Sequence, residues 1–304
     1  MAGTATVTGE EDLRPLVRWT ADEPDPPRVL LRCEHDTSPV SAPSRATVVR
    51  LGGCAGGLTA ASYLEVVAAG AAHLGVLTSG CPGAGRVENE VGEADRLLGA
   101  WPGHARVRCE VPQHDWRRAQ LYDIHRLPVS RRSLFTFAPA TPRWAADISA
   151  GERERVLAAM RRLAGTEIPP ALRGLAAPAA DLVAAGCSAC GVCVRACPSG
   201  ALRLDRGEPD GAGAFTLVSS AARCDDCGRC VSLCPSQVLV KRGQASWARL
   251  VENALTTVGT GESRRCVSCG ASFVDDSPGD RCPLCAFRLD HPFGSHLPMP
   301  AHEH

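Results

Sequence analysis

Sixteen cysteines in 304 residues carry most of the chemistry that can be read from this chain. Twelve of them lie between Cys187 and Cys285, in three groups of four. The run Cys187-x2-Cys190-x2-Cys193-x3-Cys197-Pro198 recurs 37 residues later as Cys224-x2-Cys227-x2-Cys230-x3-Cys234-Pro235. Each run leads into a short apolar stretch, ALRL at 201–204 and VLV at 238–240. The third group is Cys266-x2-Cys269 and Cys282-x2-Cys285, two knuckles twelve residues apart. Thiolates at such spacings are metal ligands.

Composition limits the alternatives. The formal net charge is zero, so there is no strong electrostatic pull toward nucleic acid or an anionic membrane. Arginine supplies 32 of the 33 basic residues and Lys241 the other. The first residues are acidic where an export signal would be basic and then apolar. The most apolar stretch, Tyr63 to Leu77, is interrupted by Glu65 and His73 and is too short to span a bilayer. Ser130 to Phe135 has the look of a twin-arginine box, but Pro139, Pro142, Arg143 and Asp147 follow it instead of an apolar segment. The expectation is a cytoplasmic protein with no membrane span and no nucleic-acid partner. In that compartment thiols stay reduced, which argues for metal sites over disulfides.

The elements that must position these cysteines follow from periodicity. Residues 1–27, rich in Pro, Asp, Glu and Thr, read as a disordered lead-in. Short apolar runs at 28–32, 47–51, 74–77 and 105–111 have strand character. Helical stretches at 60–69, closed by Gly70, and at 88–98 lie between them. Strands alternating with helices predict a parallel-sheet α/β domain over 28–125. A helical linker is expected over 126–183. There Ser149 and Glu152 form a capping box, and Val156, Leu157, Met160 and Leu163 share one face. The dicluster block spans 184–242, a helix with Trp247, Leu250, Val251, Ala254 and Leu255 on one face is expected over 243–262, and the last cysteines occupy 263–288. Residues 289–304, with four histidines, read as a disordered tail. The expected fold class is thus an α/β parallel-sheet N-terminal domain, an α+β ferredoxin-like dicluster domain and a small zinc-ribbon-like C-terminal module.

The two complete cysteine runs with their trailing prolines resemble bacterial-type two-cluster ferredoxins. The resemblance implies two [4Fe–4S] clusters. In that arrangement the fourth cysteine of each run ligates the cluster of the other run. The first cluster would take Cys187, Cys190, Cys193 and Cys234, and the second Cys224, Cys227, Cys230 and Cys197. A zinc cluster on these eight thiolates is the alternative. The segment Phe215–Ser219 reads as an inserted hairpin arm. The last four cysteines, Cys266, Cys269, Cys282 and Cys285, resemble a zinc ribbon and imply one structural Zn(II). The knuckle at Cys282-Pro283-Leu284-Cys285 is also similar to that of rubredoxin, which would put iron there.

Cys33, Cys54 and Cys81 each follow the C-terminal end of a predicted strand. In a parallel sheet those ends share one edge, where ligands bind. Cys109, inside the fourth strand, reads as a core residue. Residues 28–100 resemble the iron–sulfur delta subunit of methyl-viologen-reducing hydrogenases linked to heterodisulfide reductase. The matching elements are Cys33, Val49-Arg50-Leu51 leading to Cys54, the Ala69-Gly70-Ala71 turn, Gly80-Cys81-Pro82-Gly83, and Asn89 with its helix. The resemblance implies a [2Fe–2S] cluster and a link between a hydrogenase and a disulfide reductase. Two positions depart from the pattern: Asp36 and Ala84 or Gly85 stand where further cysteines would be. A cluster would need Asp36, His35 or another fourth ligand. The alternative is a domain that docks a partner and holds no cluster.

Three functions compete. One is a non-catalytic electron-transfer subunit working with a hydrogenase, a flavoprotein or a heterodisulfide-reductase-like subunit. The second is a stand-alone oxidoreductase using the N-terminal domain, against which no GxGxxG or Walker loop is present, Gly52–Gly57 lacking that spacing. The third is a redox sensor, for which no DNA-binding motif speaks. Arg131 and Arg132 are read as a solvated loop or a docking point for an acidic partner.

Overall fold

In a computed structural model of the chain, the described residues are 13–23, 25, 27–103, 106–128, 150–207, 213–274 and 279–291. The chain divides into two compact units, residues 1–172 and 173–304. It is a mixed α/β protein with a parallel sheet in the first unit.

The first unit begins with α1 (Arg14–Asp22), where a disordered lead-in over 1–27 was expected. Leu13, Leu16, Val17 and Thr20 recur at helical spacing and are buried, with α2 among the elements they meet. Apolar burial outweighs the Pro- and Asp-rich local composition. Then come β1 (Arg28–Arg32), β2 (Ser41–Ala42), β3 (Ala46–Arg50), α2 (Ala60–Ala68), β4 (His73–Leu77), α3 (Ala84–Leu98), β5 (Val107–Glu110), β6 (Arg117–Arg118), β7 (Leu121–Asp123) and α4 (Glu152–Ala164). The main sheet has the order β5-β4-β1-β3-β7 and every pairing in it is parallel. Val29, Leu30 and Leu31 of β1 are fully buried, as befits a central strand covered on both faces. β7 had no apolar run to announce it; it joins as an edge strand beside β3, with Val49 opposite Tyr122.

Helix α2 is buried along its whole length. At its start Ser62 Oγ accepts from the Thr59 N–H at 3.4 Å, and Gly70, at φ +122°, turns the chain past its end. One of its residues is Glu65, whose carboxylate takes two hydrogen bonds from Arg155 of α4, at 2.8 and 2.9 Å. The α4 N-cap is Gly151, with no side-chain cap; the expected cap residue Ser149 lies outside the described residues, as do Arg131 and Arg132.

A short helix α5 (Ala171–Gly174) marks the passage to the second unit. That unit contains β8 (Ala176–Ala184), α6 (Val192–Ala196), β9 (Leu202–Arg206), β10 (Gly213–Ser220), α7 (Arg229–Ser232), β11 (Leu239–Ser246), α8 (Trp247–Glu252), β12 (Leu255–Arg265), β13 (Ser272–Phe273) and α9 (Pro283–Asp290). β8 pairs antiparallel with β11, while β13-β12-β10-β9 form a four-stranded sheet. Two expectations change here. The helical linker to residue 183 ends in strand β8, although its alanines favour a helix in isolation, because β11 supplies a ladder partner. The helix expected over 243–262 shrinks to α8, stopped by Asn253 in the left-handed region at φ +53°. The β-branched Thr256 and Thr257 beyond it pair with β10, Val258 falls at a bulge, and Leu255 is exposed in β12 and contributes to no helical face. The segment 215–219 is the middle of β10, an internal strand of the sheet. The last helix reaches Asp290; residues 292–304 lie outside the described residues.

Candidate metal centres

The sequence repeat is also a backbone repeat. Ala189 and Asp226 have φ of 53° and 54°, Gly191 and Gly228 have 70° and 72°, and Gly200 and Gln237 have 61° and 54°. Each pair is separated by the same 37 residues as the cysteine runs. Three left-handed residues per run curl the chain so that consecutive cysteines turn inward. Gly191 and Gly228 open the one-turn helices α6 and α7 that carry Cys193 and Cys230.

Two cavities result. The first is lined by Cys187, Cys190 and Cys193 together with Cys234 from the other run, among apolar residues such as Leu204, Leu217 and Leu239. The second is lined by Cys224, Cys227 and Cys230 together with Cys197 from the first run. Four soft thiols around a largely apolar void fit an iron–sulfur cubane. The protein also supplies donors to sulfur. Ala201 donates its N–H to Cys197 Sγ at 3.2 Å, and Ala180 to Cys224 Sγ at 3.4 Å. Burial would raise the thiol of Cys197, but the Ser199 hydroxyl and the N–H groups of Ala201, Leu202 and Ser199 bring it below its ordinary value. Cys234 is likewise lowered: burial acts upward, and the Leu239 N–H, the Ser236 hydroxyl and the N–H groups of Val238 and Ser236 outweigh it. The two serines escaped sequence reasoning, although Cys-Pro-Ser occurs in both runs. So did Lys241, which bonds Asp226 at 2.7 Å on the wall of the second cavity.

Cys266, Cys269, Cys282 and Cys285 bring their four Sγ atoms within 4.8 Å of one another. Cys269 and Cys282 are 3.8 Å apart, the edge of a tetrahedron with ~2.3 Å metal–sulfur bonds. The first knuckle lies between β12 and β13, where Gly270, at φ +71°, lets its N–H reach Cys266 O at 2.8 Å. The second opens α9, with Cys282 as N-cap and Pro283 in the first turn. Phe273 packs on Cys266 and Cys282, and Arg264 lies over its ring at 5.4 Å. The N–H groups of Cys282, Cys269 and Ser268 hold the Cys266 thiol down to about 6.

In the first unit the loops after β1, β3 and β4 bring Cys33, Cys54 and Cys81 together. Cys54 Sγ and Cys81 Sγ are 3.7 Å apart, and Cys33 Sγ is 3.4 Å from His35 Nδ1. Cys109, in β5 opposite Val76, is half-buried and is not a fully enclosed core residue.

Residues 186–238 match the family described as the 4Fe-4S dicluster domain. No curated protein matches the chain. The second unit therefore carries an iron–sulfur-binding domain of the ferredoxin type. Among the described residues no helix is long and apolar enough to cross a membrane.

Proposed function

We propose that this protein is a non-catalytic electron-transfer subunit that passes electrons through two [4Fe–4S] clusters. One is held by Cys187, Cys190, Cys193 and Cys234, the other by Cys224, Cys227, Cys230 and Cys197. The observation that carries this reading is that each cavity is lined by three cysteines of one run and the fourth of the other. When bound, the clusters supply one-electron carriers. The chain's own part is to hold the thiolates, donate N–H and hydroxyl hydrogens to Cys197 and Cys234, and keep water from the sulfurs with apolar walls. Crossed ligation ties the two runs to each other, so neither half holds a cluster alone.

In this reading the site of the last four cysteines takes a structural Zn(II), since closed tetrahedral thiolate sites are its usual form. The parallel-sheet unit serves as the docking surface for a cytoplasmic partner, a hydrogenase, flavoprotein or heterodisulfide-reductase-like subunit, as its resemblance to the delta subunit implies. Anaerobically purified full-length protein should contain about eight irons in this domain and show two interacting centres once reduced by dithionite. It should turn over no substrate without a partner. Iron near zero, with zinc in its place, overturns the reading.

A further inference from the structure

The edge of the parallel sheet holds a fourth donor that no cysteine pattern marks. Among the described residues, two groups bring three or more donor atoms within 4.8 Å of one another. One is the site of the last four cysteines; the other is Cys33, His35 and Cys54. Cys81 stands beside the second group, 3.7 Å from Cys54 and facing the Cys33 thiol, but lies beyond 4.8 Å from at least one of that group's three donor atoms. We propose that Cys33, His35, Cys54 and Cys81 form a site of three thiolates and one imidazole for a single tetrahedral Zn(II).

Asp36, the other residue beside Cys33 that could serve, is already committed. Its carboxylate is buried and pairs with Arg32, whose Nη2 is 3.2 Å away. It also accepts from the Ser38 N–H at 2.9 Å and the Ser38 hydroxyl at 2.6 Å. Those bonds shape the loop after β1 and leave His35 as the side chain turned toward Cys33. A buried carboxylate withdrawn from Arg32 would leave an uncompensated guanidinium, which is costly.

The three loops are built to meet. Gly56 and Gly83 touch backbone to backbone: a Cβ on Gly83 would lie 2.9 Å from Gly56 Cα and 3.6 Å from Cys54 Sγ. Gly80, at φ +70°, sits against the backbone of His35 and Asp36. The absence of three side chains thus lets the Cys54, Cys81 and His35 loops close on one point.

Spacing and donor type together select the occupant. Bonds of ~2.3 Å to sulfur and ~2.0 Å to nitrogen give tetrahedral edges of ~3.8 Å between sulfurs and ~3.5 Å between sulfur and nitrogen. The Cys54–Cys81 and Cys33–His35 separations, 3.7 and 3.4 Å, match two of those edges, while Cys81 stands more than 4.8 Å from at least one other donor and must move inward to close the tetrahedron. A [2Fe–2S] core, implied by the resemblance, would seat its ligands as two pairs on different irons, spread wider than one tetrahedron. Here Cys54 lies within 4.8 Å of both Cys33 and His35, which is too close for that division. Three thiolates and one imidazole around a closed position is a known structural zinc set.

The test is zinc and iron analysis of the full-length chain and its variants, purified anaerobically and washed with a mild chelator. The His35 side chain is 45% exposed, so replacing it removes no core packing. His35→Ala should lose about one zinc per chain with iron unchanged, and His35→Cys should keep it. Zinc X-ray absorption should show a nitrogen donor in the wild type that vanishes in His35→Cys. Retention of all zinc by His35→Ala overturns the proposal. So does loss of about two irons in place of zinc, which would mean a binuclear cluster. Failure of the electron-transfer reading would instead appear in the remaining eight or so irons, independently of His35.

Discussion

Ser199 and Ser236 occupy the same place in the two runs, two residues after the fourth cysteine. Their hydroxyls lie 3.6 Å from Cys197 Sγ and 3.8 Å from Cys234 Sγ. Hydrogen bonds to ligand sulfur favour the more negative, reduced cluster, so removing one lowers the reduction potential. Under crossed ligation the effect must appear in the opposite half. Ser199→Ala should lower the potential of the cluster held by Cys224, Cys227 and Cys230. Ser236→Ala should lower that of the cluster held by Cys187, Cys190 and Cys193. A potentiometric titration followed by electron paramagnetic resonance separates the two, and shifts confined to the serine's own run would refute the crossing.

At the scale of elements, α2 and α4 are joined by an ion pair that lies almost wholly inside the protein. The side chains of Arg155 and Glu65 are 6% and 5% exposed. Truncating one member of such a pair leaves the other charge buried, at a cost of ~3–5 kcal/mol. Glu65→Ala should therefore destabilise the first unit by about that amount, read from denaturant midpoints, whereas Arg96→Ala should cost ~0–1 kcal/mol, its pair with Glu93 being exposed on the surface of α3. Equal losses for the two variants would contradict this account. Sequence showed Glu65 as an interruption in an apolar stretch; its partner is 90 residues away and has no sequence signature.

The whole molecule combines two kinds of core. The first unit rests on an apolar sheet, with Leu30, Leu31, Val48, Leu64 and Val76 fully buried. In the second unit, cysteines take the places that a larger apolar core would fill: Cys193, Cys224, Cys230, Cys266 and Cys282 are all buried. Metal binding there is coupled to folding. Stripping metal by chelation should abolish amide-exchange protection across 187–234 while β1, β3 and β4 stay protected. Loss of protection in both units together would show that the first unit, too, folds only around metal.

The dicluster segment and the strands near 28–32, 47–51 and 74–77 were legible in sequence, because cysteine spacing and apolar periodicity are local signals. The convergence of Cys33, Cys54 and Cys81 followed from the parallel-sheet rule alone. What the sequence could not decide was set by partners far along the chain. β8 is a strand because β11 lies beside it. α1 is a helix because its apolar face is covered. Asp36 stands next to Cys33 and His35 in the sequence, but in the fold Arg32 and Ser38 occupy its carboxylate. A side chain's availability depends on its neighbours in space, and that information exists only after the chain has folded.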